Sequence, residues 1–298
     1  MIADLLRRST FPASGTSVVC GLSGGADSTA LVRLAVAAGC VVTAVHVNHG
    51  LRSSAVDDER CAHRTAERLD IEFRVEHIEL ADGANLEARA RVARQLALGP
   101  EALTGHTADD QAETMLLAML RGSGASGLGA MSPGPTRPIL ALRRSETVAL
   151  CETEGFEFAH DPSNADPRFR RNRIRHELLP LMNDMAERDM SPILARTAGL
   201  LRDDDQLLER LSEDLDPTDA RALTNAPLPL ARRAIRRWLE RNGYPPDAAT
   251  VARVLAVADG STPGCDVGAG RRVTRHRQQL RLAEPVTTHP LNVSPLDP

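Results

Sequence analysis

Two carboxylates three residues apart are the side chains of this sequence best placed to do chemistry. Asp110 and Glu113 lie in the helical pattern DDQAETMLLAMLRG, so both project from one face of the helix. Paired anions of this kind can hold an ammonium group, because a cation that leaves water needs opposite charges around it. A structural role is the alternative, since Thr107 and Asp110 have the spacing of a capping box. The two roles are compatible with each other.

A second candidate site is the glycine-rich segment Ser23-Gly24-Gly25-Ala26-Asp27-Ser28, between an apolar run and a helical pattern. Glycines let an anion approach the main chain, and the amide groups at a helix N-terminus attract phosphate. A plain turn with Asp27 or Ser28 as the helix N-cap is the alternative. The residue types and their context favour a phosphate-binding loop.

Three histidines and one arginine complete the set of chemically interesting residues. His46, His49 and His106 follow predicted strands, and no cysteine or carboxylate spacing completes a known metal site around them. A position near a nucleotide is therefore favoured over metal binding. Arg121 precedes a glycine-rich stretch, which predicts a flap that closes over phosphates or a flipped base.

Composition restricts the chemistry further. The 298 residues include no lysine, so a Walker-type phosphate lysine, a Schiff base and a lysine general base are all excluded. Any amine that reacts at a side-chain site must come from outside the chain. The five cysteines form no CxxC pair, and no apolar stretch reaches the ~20 residues of a membrane-spanning helix. We expect a cytoplasmic protein that does not enter membranes.

The elements that position these residues alternate between strand and helix along the first half. This order predicts an α/β fold with a Rossmann-like parallel sheet, in which ligands bind beyond the carboxyl ends of the strands. Beyond about residue 185 the pattern becomes mostly helical, with CDVGAGRRVTRHRQQLRLAEP as a candidate hairpin and the Trp238 ring in the core. We expect a catalytic domain over 1–185 and a smaller, mostly helical domain over 186–298.

Arginine clusters point to a nucleic-acid partner, although the net charge of −4 does not. The sequence has one Trp, one Tyr and five Phe, so arginine planes would have to replace aromatic rings in base stacking. A solvated surface is the alternative for any one cluster. The clusters lie within residues 168–175, 232–241 and 271–277. The candidates to hold RNA are Arg171, Asn172, Arg173 and Arg175.

These motifs resemble a known family. The glycine-rich loop is similar to the PP-loop of ATP pyrophosphatases, which cleave ATP between its α and β phosphates. The ordered series resembles the tRNA(Ile)-lysidine synthetase family from about residue 15 to 180. Its blocks are His46-Val47-Asn48-His49-Gly50-Leu51-Arg52, residues 105–114, Leu120-Arg121-Gly122-Ser123-Gly124, Gly127-Leu128, and Asp161-Pro162-Ser163-Asn164 followed by residues 171–175.

The resemblance implies an ATP-dependent ligase. Such enzymes join free L-lysine to C2 of the wobble cytidine of an isoleucine tRNA with a CAU anticodon, through an adenylated cytidine, and release AMP and pyrophosphate. It further implies that Asp27 helps to place Mg²⁺, that Asp110 and Glu113 bind the lysine, and that Arg121 joins these three acids in catalysis. The implied ATP-binding residues are Ser23, Gly24, Gly25, Ala26, Asp27, Ser28, His46, His49, Gly105 and His106.

Two other functions are open on the same fold. A tRNA sulfurtransferase is the first, although the absent CxxC pair counts against it, and a non-catalytic nucleotide sensor is the second. Longer members of the family carry a further C-terminal domain, which we expect this chain to lack. A homodimer is compatible with the sequence.

Overall fold

The computed structural model describes residues 1–48, 55–78, 86–159, 166–241 and 246–283. It divides into two compact units, Met1–Arg202 and Asp203–Pro298. The division falls within the helix Ser191–Leu211. The domain boundary predicted near residue 185 stays a prediction. Within the described ranges, no helix is long and apolar enough to cross a membrane.

A parallel sheet forms the centre of the first unit. Its strands are β1 (Ser17–Gly21), β2 (Val41–Asn48) and β3 (Glu72–His77), hydrogen-bonded in the order β1-β2-β3. The predicted strand ALTG is reduced to a single parallel bridge between Leu103 and Cys20, with Gly21 N donating to Leu103 O at 2.9 Å. The predicted α/β class with a parallel sheet is therefore confirmed.

The helices up to residue 211 are α1 (Ile2–Arg7), α2 (Ala26–Ala37), α3 (Ala55–Arg68), α4 (Leu86–Leu98), α5 (Ala108–Leu120), α6 (Ala125–Leu128), α7 (Arg144–Glu154), α8 (Arg170–Arg173), a π-helical turn (Ile174–Leu178), α9 (Leu179–Ala186) and α10 (Ser191–Leu211). Those that follow helical segments predicted from the sequence are α2, α3, α4, α5 and α10; α2, α3 and α4 contact the sheet. The short α6 lies in the glycine-rich stretch that the sequence predicted to be a loop or flap. The glycine-rich stretch therefore contains one short helical turn.

Apolar packing fixes the positions of these helices. Leu31 and Leu34 of α2 are fully buried against the sheet, and α7 packs on the same helix through Leu150. A separate apolar cluster joins α5 to the later helices through Met115 and Ile174. Burial of side chains of this size stabilises the fold by roughly 1.5–3 kcal/mol each. Both α5 and α7 are thereby held with their N-terminal ends near the phosphate loop.

The second unit combines helices with a small sheet. Its elements are α11 (Ala220–Asn225), α12 (Leu228–Arg241), α13 (Ala248–Asp259), β4 (Gly264–Gly268), β5 (Arg271–His276) and β6 (Gln279–Ala283). The three strands are antiparallel, so the predicted hairpin has one more strand than expected. The Trp238 ring packs against the core of this unit, as predicted.

Candidate functional site

The phosphate loop is closed by its own side chains. Ser23 N donates to Ser28 Oγ at 3.1 Å, and this hydroxyl donates to Gly25 O at 2.8 Å. Gly24 has a φ of +90°, and a Cβ there would lie 2.6 Å from the main-chain oxygen of Asp58. Only glycine fits both the left-handed backbone and this close approach. The loop leads into α2, and the amide groups at a helix N-terminus attract anions.

The neighbouring strand ends meet the loop as the sequence predicts. His46 is 4% exposed, and its Nδ1 lies 2.9 Å from Leu22 O, just before the loop. A Cβ on Gly105 would lie 2.8 Å from Asp27 O, so that segment also touches the start of α2. His106 is hydrogen-bonded to Thr104 Oγ1 at 2.9 Å. His49, together with residues 50–52, lies outside the described residues.

Asp110 has a structural and an electrostatic role at once. Its Oδ2 accepts hydrogen bonds from Thr107 N at 2.8 Å and Thr107 Oγ1 at 3.0 Å, which is the predicted capping interaction. Its Oδ1 accepts from Arg144 Nη2 at 3.0 Å and faces Arg171 at 3.4 Å. One oxygen therefore starts α5 and the other belongs to a charged cluster.

Glu113 is fully buried, with 0% of its side chain exposed, and three arginines surround it. Arg171 Nε donates to Oε2 at 2.7 Å, and Arg175 Nε donates to Oε1 at 2.7 Å. Arg144 Nη1 adds a third contact at 3.2 Å. A buried carboxylate needs such partners, because an isolated charge in the interior is strongly destabilising.

Arg144 connects the phosphate loop to these two acids. Its Nε donates to Asp27 Oδ2 at 3.1 Å, while its two Nη atoms reach Asp110 and Glu113. Thr147, one turn further along α7, donates to the other oxygen of Asp27. The first turn of α7 thus holds both oxygens of the loop carboxylate.

The pKa values of Asp27 and Asp110 shift in opposite directions. Burial raises the pKa of Asp27, and the neighbouring Arg144 and Thr147 offset only part of that effect. Burial also acts to raise the pKa of Asp110, but the charges of Arg144 and Arg171 outweigh it and the pKa falls below its ordinary value. Asp110 therefore stays ionised at neutral pH.

The four residues predicted to hold RNA lie in segment 166–178, and their side chains point in different directions. Arg171 and Arg175 turn inward to Glu113, and Asn172 is buried with its Nδ2 donating to Asp166 O at 3.0 Å. Arg173 faces outward and pairs with Glu177. The preceding block Asp161-Pro162-Ser163-Asn164 lies outside the described residues.

Arg121 is not part of the charged cluster. It is exposed at the C-terminal end of α5, eleven residues beyond Asp110. At 1.5 Å per residue this places its main chain about 16 Å along the helix axis from that acid. The helix that presents Asp110 and Glu113 thus carries Arg121 away from them.

The sequence analysis did not single out Arg144 and Thr147. A usable signal was present, because Arg143 and Arg144 stand at the start of α7, where the helix dipole disfavours positive charge. Each arginine has an acidic partner: Arg143 holds Asp109 with two hydrogen bonds at 3.0 and 2.8 Å. Basic residues at a helix N-terminus can therefore indicate buried acids nearby.

A magnesium ion fits this site only as an ion shared with phosphate. No group of three or more potential ligands is found among the residues that the structure describes. Asp27 offers a carboxylate beside the loop, and its oxygens already accept from Arg144 and Thr147. Mg²⁺ in nucleotide sites is commonly held by one or two carboxylates with the phosphates and water, which agrees with this arrangement.

Comparison with known proteins defines the class first. The family model described as "PP-loop domain" matches residues 2–182, which is more than half of the chain, and places it among ATP-binding PP-loop proteins. The "TilS substrate binding domain" matches residues 219–281. A tRNA(Ile)-lysidine synthase of Nocardia farcinica is 39% identical, over 90% of this chain and 94% of its own length. The chain belongs to the tRNA(Ile)-lysidine synthase family.

Other relatives agree with this assignment. The tRNA(Ile)-lysidine synthase of Mycobacterium bovis is 40% identical over 75% of both chains. Among solved structures, the U34-tRNA thiolase NcsA of Methanococcus maripaludis with its [4Fe-4S] cluster has a TM-score of 0.55 at 18% identity, covering 67% of this chain and 78% of that one. At this identity the likeness shows a shared fold alone.

Proposed function

We propose that the chain ligates free L-lysine to the wobble cytidine of an isoleucine tRNA with a CAU anticodon, using ATP. The observation that supports this most directly is the position of Asp110 and Glu113. Both lie within hydrogen-bond distance of one guanidinium that also contacts Asp27 of the phosphate loop. This contact supports a cationic-amine site that adjoins the nucleotide site.

The proposed reaction has two steps, adenylation of the cytidine and displacement of AMP by lysine. O2 of the cytidine attacks the α phosphorus of ATP, the bond to the β phosphate breaks, and pyrophosphate leaves into the loop of Ser23, Gly24 and Gly25. The lysine amine then attacks C2, AMP leaves with the oxygen, and the amine loses its proton. Hydrogen-bond donors around the loop stabilise the negative charge that develops on the phosphates.

Lysine binding follows from the acids on α5. Asp110 stays ionised because Arg144 and Arg171 lower its pKa below the ordinary range. Glu113 supplies a second carboxylate on the same helix face. Their arginine partners must yield some of these contacts when an ammonium enters, since the acids already accept hydrogen bonds from three guanidinium groups.

Magnesium, when bound, supplies positive charge that neutralises the phosphates. Asp27 would hold it from the first turn of α2. Burial raises the pKa of Asp27, and the positive charges of Arg144 and of a bound Mg²⁺ act in the opposite direction.

We propose that the tRNA is held by both units. Arg173 is the outward-facing member of its cluster, with most of its side chain exposed. The second unit matches a substrate-binding domain and carries Arg272 and Arg275 on its small sheet. Arg171 and Arg175 turn inward to Glu113, and we assign their main effect to that buried acid, whereas Asn172 donates to Asp166 O within its own segment.

The test is a lysine-transfer assay. The protein is incubated with ATP, Mg²⁺, labelled lysine and an isoleucine tRNA transcript with a CAU anticodon, and label on the RNA is measured. We expect label that requires ATP, and none when the wobble cytidine is replaced by uridine. A folded, ATP-binding preparation that never labels the RNA would refute the proposal.

The Asp110→Asn variant locates the amine site. It keeps an oxygen for the Thr107 cap but loses the negative charge, so we expect the KM for lysine to rise by at least about tenfold, which is the loss of one charged hydrogen bond. Asp166→Asn is the matched control, because Asp166 is a partly exposed acid that pairs with Arg168 and not with Arg144, Arg171 or Arg175. Equal KM values for both variants would remove Asp110 from the lysine site.

A further inference from the structure

Arg144 contacts both halves of the candidate site with one planar group. Nε reaches Asp27 at 3.1 Å, Nη2 reaches Asp110 at 3.0 Å and Nη1 reaches Glu113 at 3.2 Å. Each nitrogen has a different carboxylate. Because the guanidinium is rigid, a movement toward one acid takes it away from the other two.

The cluster is electrically balanced without any ligand. Three acids face three arginines, and the adjoining Asp109 has its own partner in Arg143. The members of the cluster are Asp27, Asp110 and Glu113 on one side and Arg144, Arg171 and Arg175 on the other. An ammonium that entered this largely buried group would add one uncompensated positive charge, which is unfavourable at low dielectric.

A bound nucleotide changes that balance. Its phosphates bring negative charge to the loop, beside the acid that Arg144 Nε contacts. Attraction toward the phosphates weakens the hold of Arg144 on Asp110 and Glu113. These two acids are then short of one positive charge, which is the charge that an ammonium supplies.

We propose that Arg144 is a positioning residue that occupies the amine site until a nucleotide binds, so that ATP strengthens the binding of lysine. This rests on the proposed function, because it takes Asp110 and Glu113 as the lysine site. Thermodynamic linkage requires that lysine strengthens nucleotide binding by the same factor. An enzyme built this way binds its amine substrate more tightly when its energy source is present.

Equilibrium dialysis tests the coupling on the full chain. Binding of labelled L-lysine is measured with Mg²⁺, in the presence and absence of a non-hydrolysable ATP analogue. We expect the analogue to lower the Kd for lysine about tenfold, within the usual range of coupling between sites. An unchanged Kd in the wild-type protein overturns the proposal, whatever any variant does.

The Arg144→Met variant identifies the residue responsible. Without the guanidinium the acids lack one positive charge permanently, so we expect lysine to bind the nucleotide-free variant more tightly than the nucleotide-free wild type. The analogue should then change the Kd less than about twofold. Arg143→Met is the matched control, since Arg143 is the neighbouring arginine and contacts Asp109 and Asp189 instead. We expect it to keep the tenfold coupling.

The outcomes separate this proposal from the proposed function. A tenfold coupling that persists in Arg144→Met overturns the role of Arg144, and so does an equal loss of coupling in Arg143→Met. If Arg144→Met does not fold, as judged by circular dichroism, Arg144→Lys replaces it and should show a reduced coupling, because one ammonium cannot match the three contacts. Lysine transfer to tRNA without any coupling overturns the proposal and leaves the proposed function intact.

Discussion

Replacement of Glu113 by glutamine should destabilise the first unit strongly. The carboxylate is fully buried and accepts hydrogen bonds from Arg144, Arg171 and Arg175, so the change leaves three guanidinium groups with one acid fewer. Removal of one partner from a buried ion pair costs about 3–5 kcal/mol. About a quarter of each arginine side chain is exposed, which favours the lower end, and we expect a loss of about 3 kcal/mol.

Chemical and thermal unfolding would measure this loss. For a unit of this size, about 3 kcal/mol corresponds to a Tm lower by roughly 6–12 °C. Glu177→Gln is the matched control, because Glu177 is 51% exposed and forms a pair with Arg173 one turn away. Solvent screens an exposed pair of this kind, so the control should stay close to the wild type.

Two results would contradict the reasoning. If Glu113→Gln were within about 1 kcal/mol of the control, the three arginines would not depend on this carboxylate. A variant more stable than the wild type would mean that the acids repel one another more strongly than the arginines stabilise them. The cluster would then be strained in the absence of ligand rather than balanced, and the inference about Arg144 would fail with it.

Three further perturbations follow from the structure. Gly24→Ala should abolish ATP binding in a filter assay, because its Cβ would lie 2.6 Å from the Asp58 oxygen; Gly99→Ala has the same positive φ but open space around it, and should cost only about 1 kcal/mol of stability. The pKa values of Asp109 and Asp110 are both lowered; for Asp109, hydrogen bonds from Arg143 outweigh the effect of burial. The ionised acids therefore stabilise the folded protein above their ordinary pKa near 4. This stabilisation is lost as the pH falls through the lower pKa of the folded state. Urea midpoints should therefore be flat from pH 7 to about 5 and fall steeply below about pH 4; a decline that is complete by pH 5 would contradict this assignment. Chelation of Mg²⁺ should stop lysine transfer while leaving the Tm of the nucleotide-free protein unchanged, and a lower Tm would instead indicate a structural metal.

The sheet and the phosphate loop could be predicted from the sequence because local signals specify them. Alternating β-branched residues give β1 and β2, and the glycine at φ +90° in the loop is the residue type that such a backbone requires. The predicted capping by Thr107 and Asp110 is confirmed for the same reason, since both partners lie in one turn. What was predictable depends on residues close together in the chain.

The charged cluster depends on residues far apart, and for that reason the sequence revealed only part of it. Arg144 lies 31 residues from Glu113, and Arg175 lies 62 residues from it. An arginine-rich segment such as 168–175 has the same composition whether its side chains face RNA or a buried acid. Only the packing of the π-helical turn against α5 decides that Arg171 and Arg175 turn inward.

The π-helical turn at Ile174–Leu178 contains one residue more than a regular helical turn would. Two sets of contacts meet at this turn. Arg171 before it and Arg175 within it contact Glu113, whereas Leu179 after it packs in the apolar cluster with Met115 and Ile174. Deletion of a single residue there would rotate everything that follows by about 100° relative to what precedes it. Point substitutions in segment 170–186 should therefore be easier to tolerate than the deletion of one residue. The length of this segment should vary less among functional relatives than its composition.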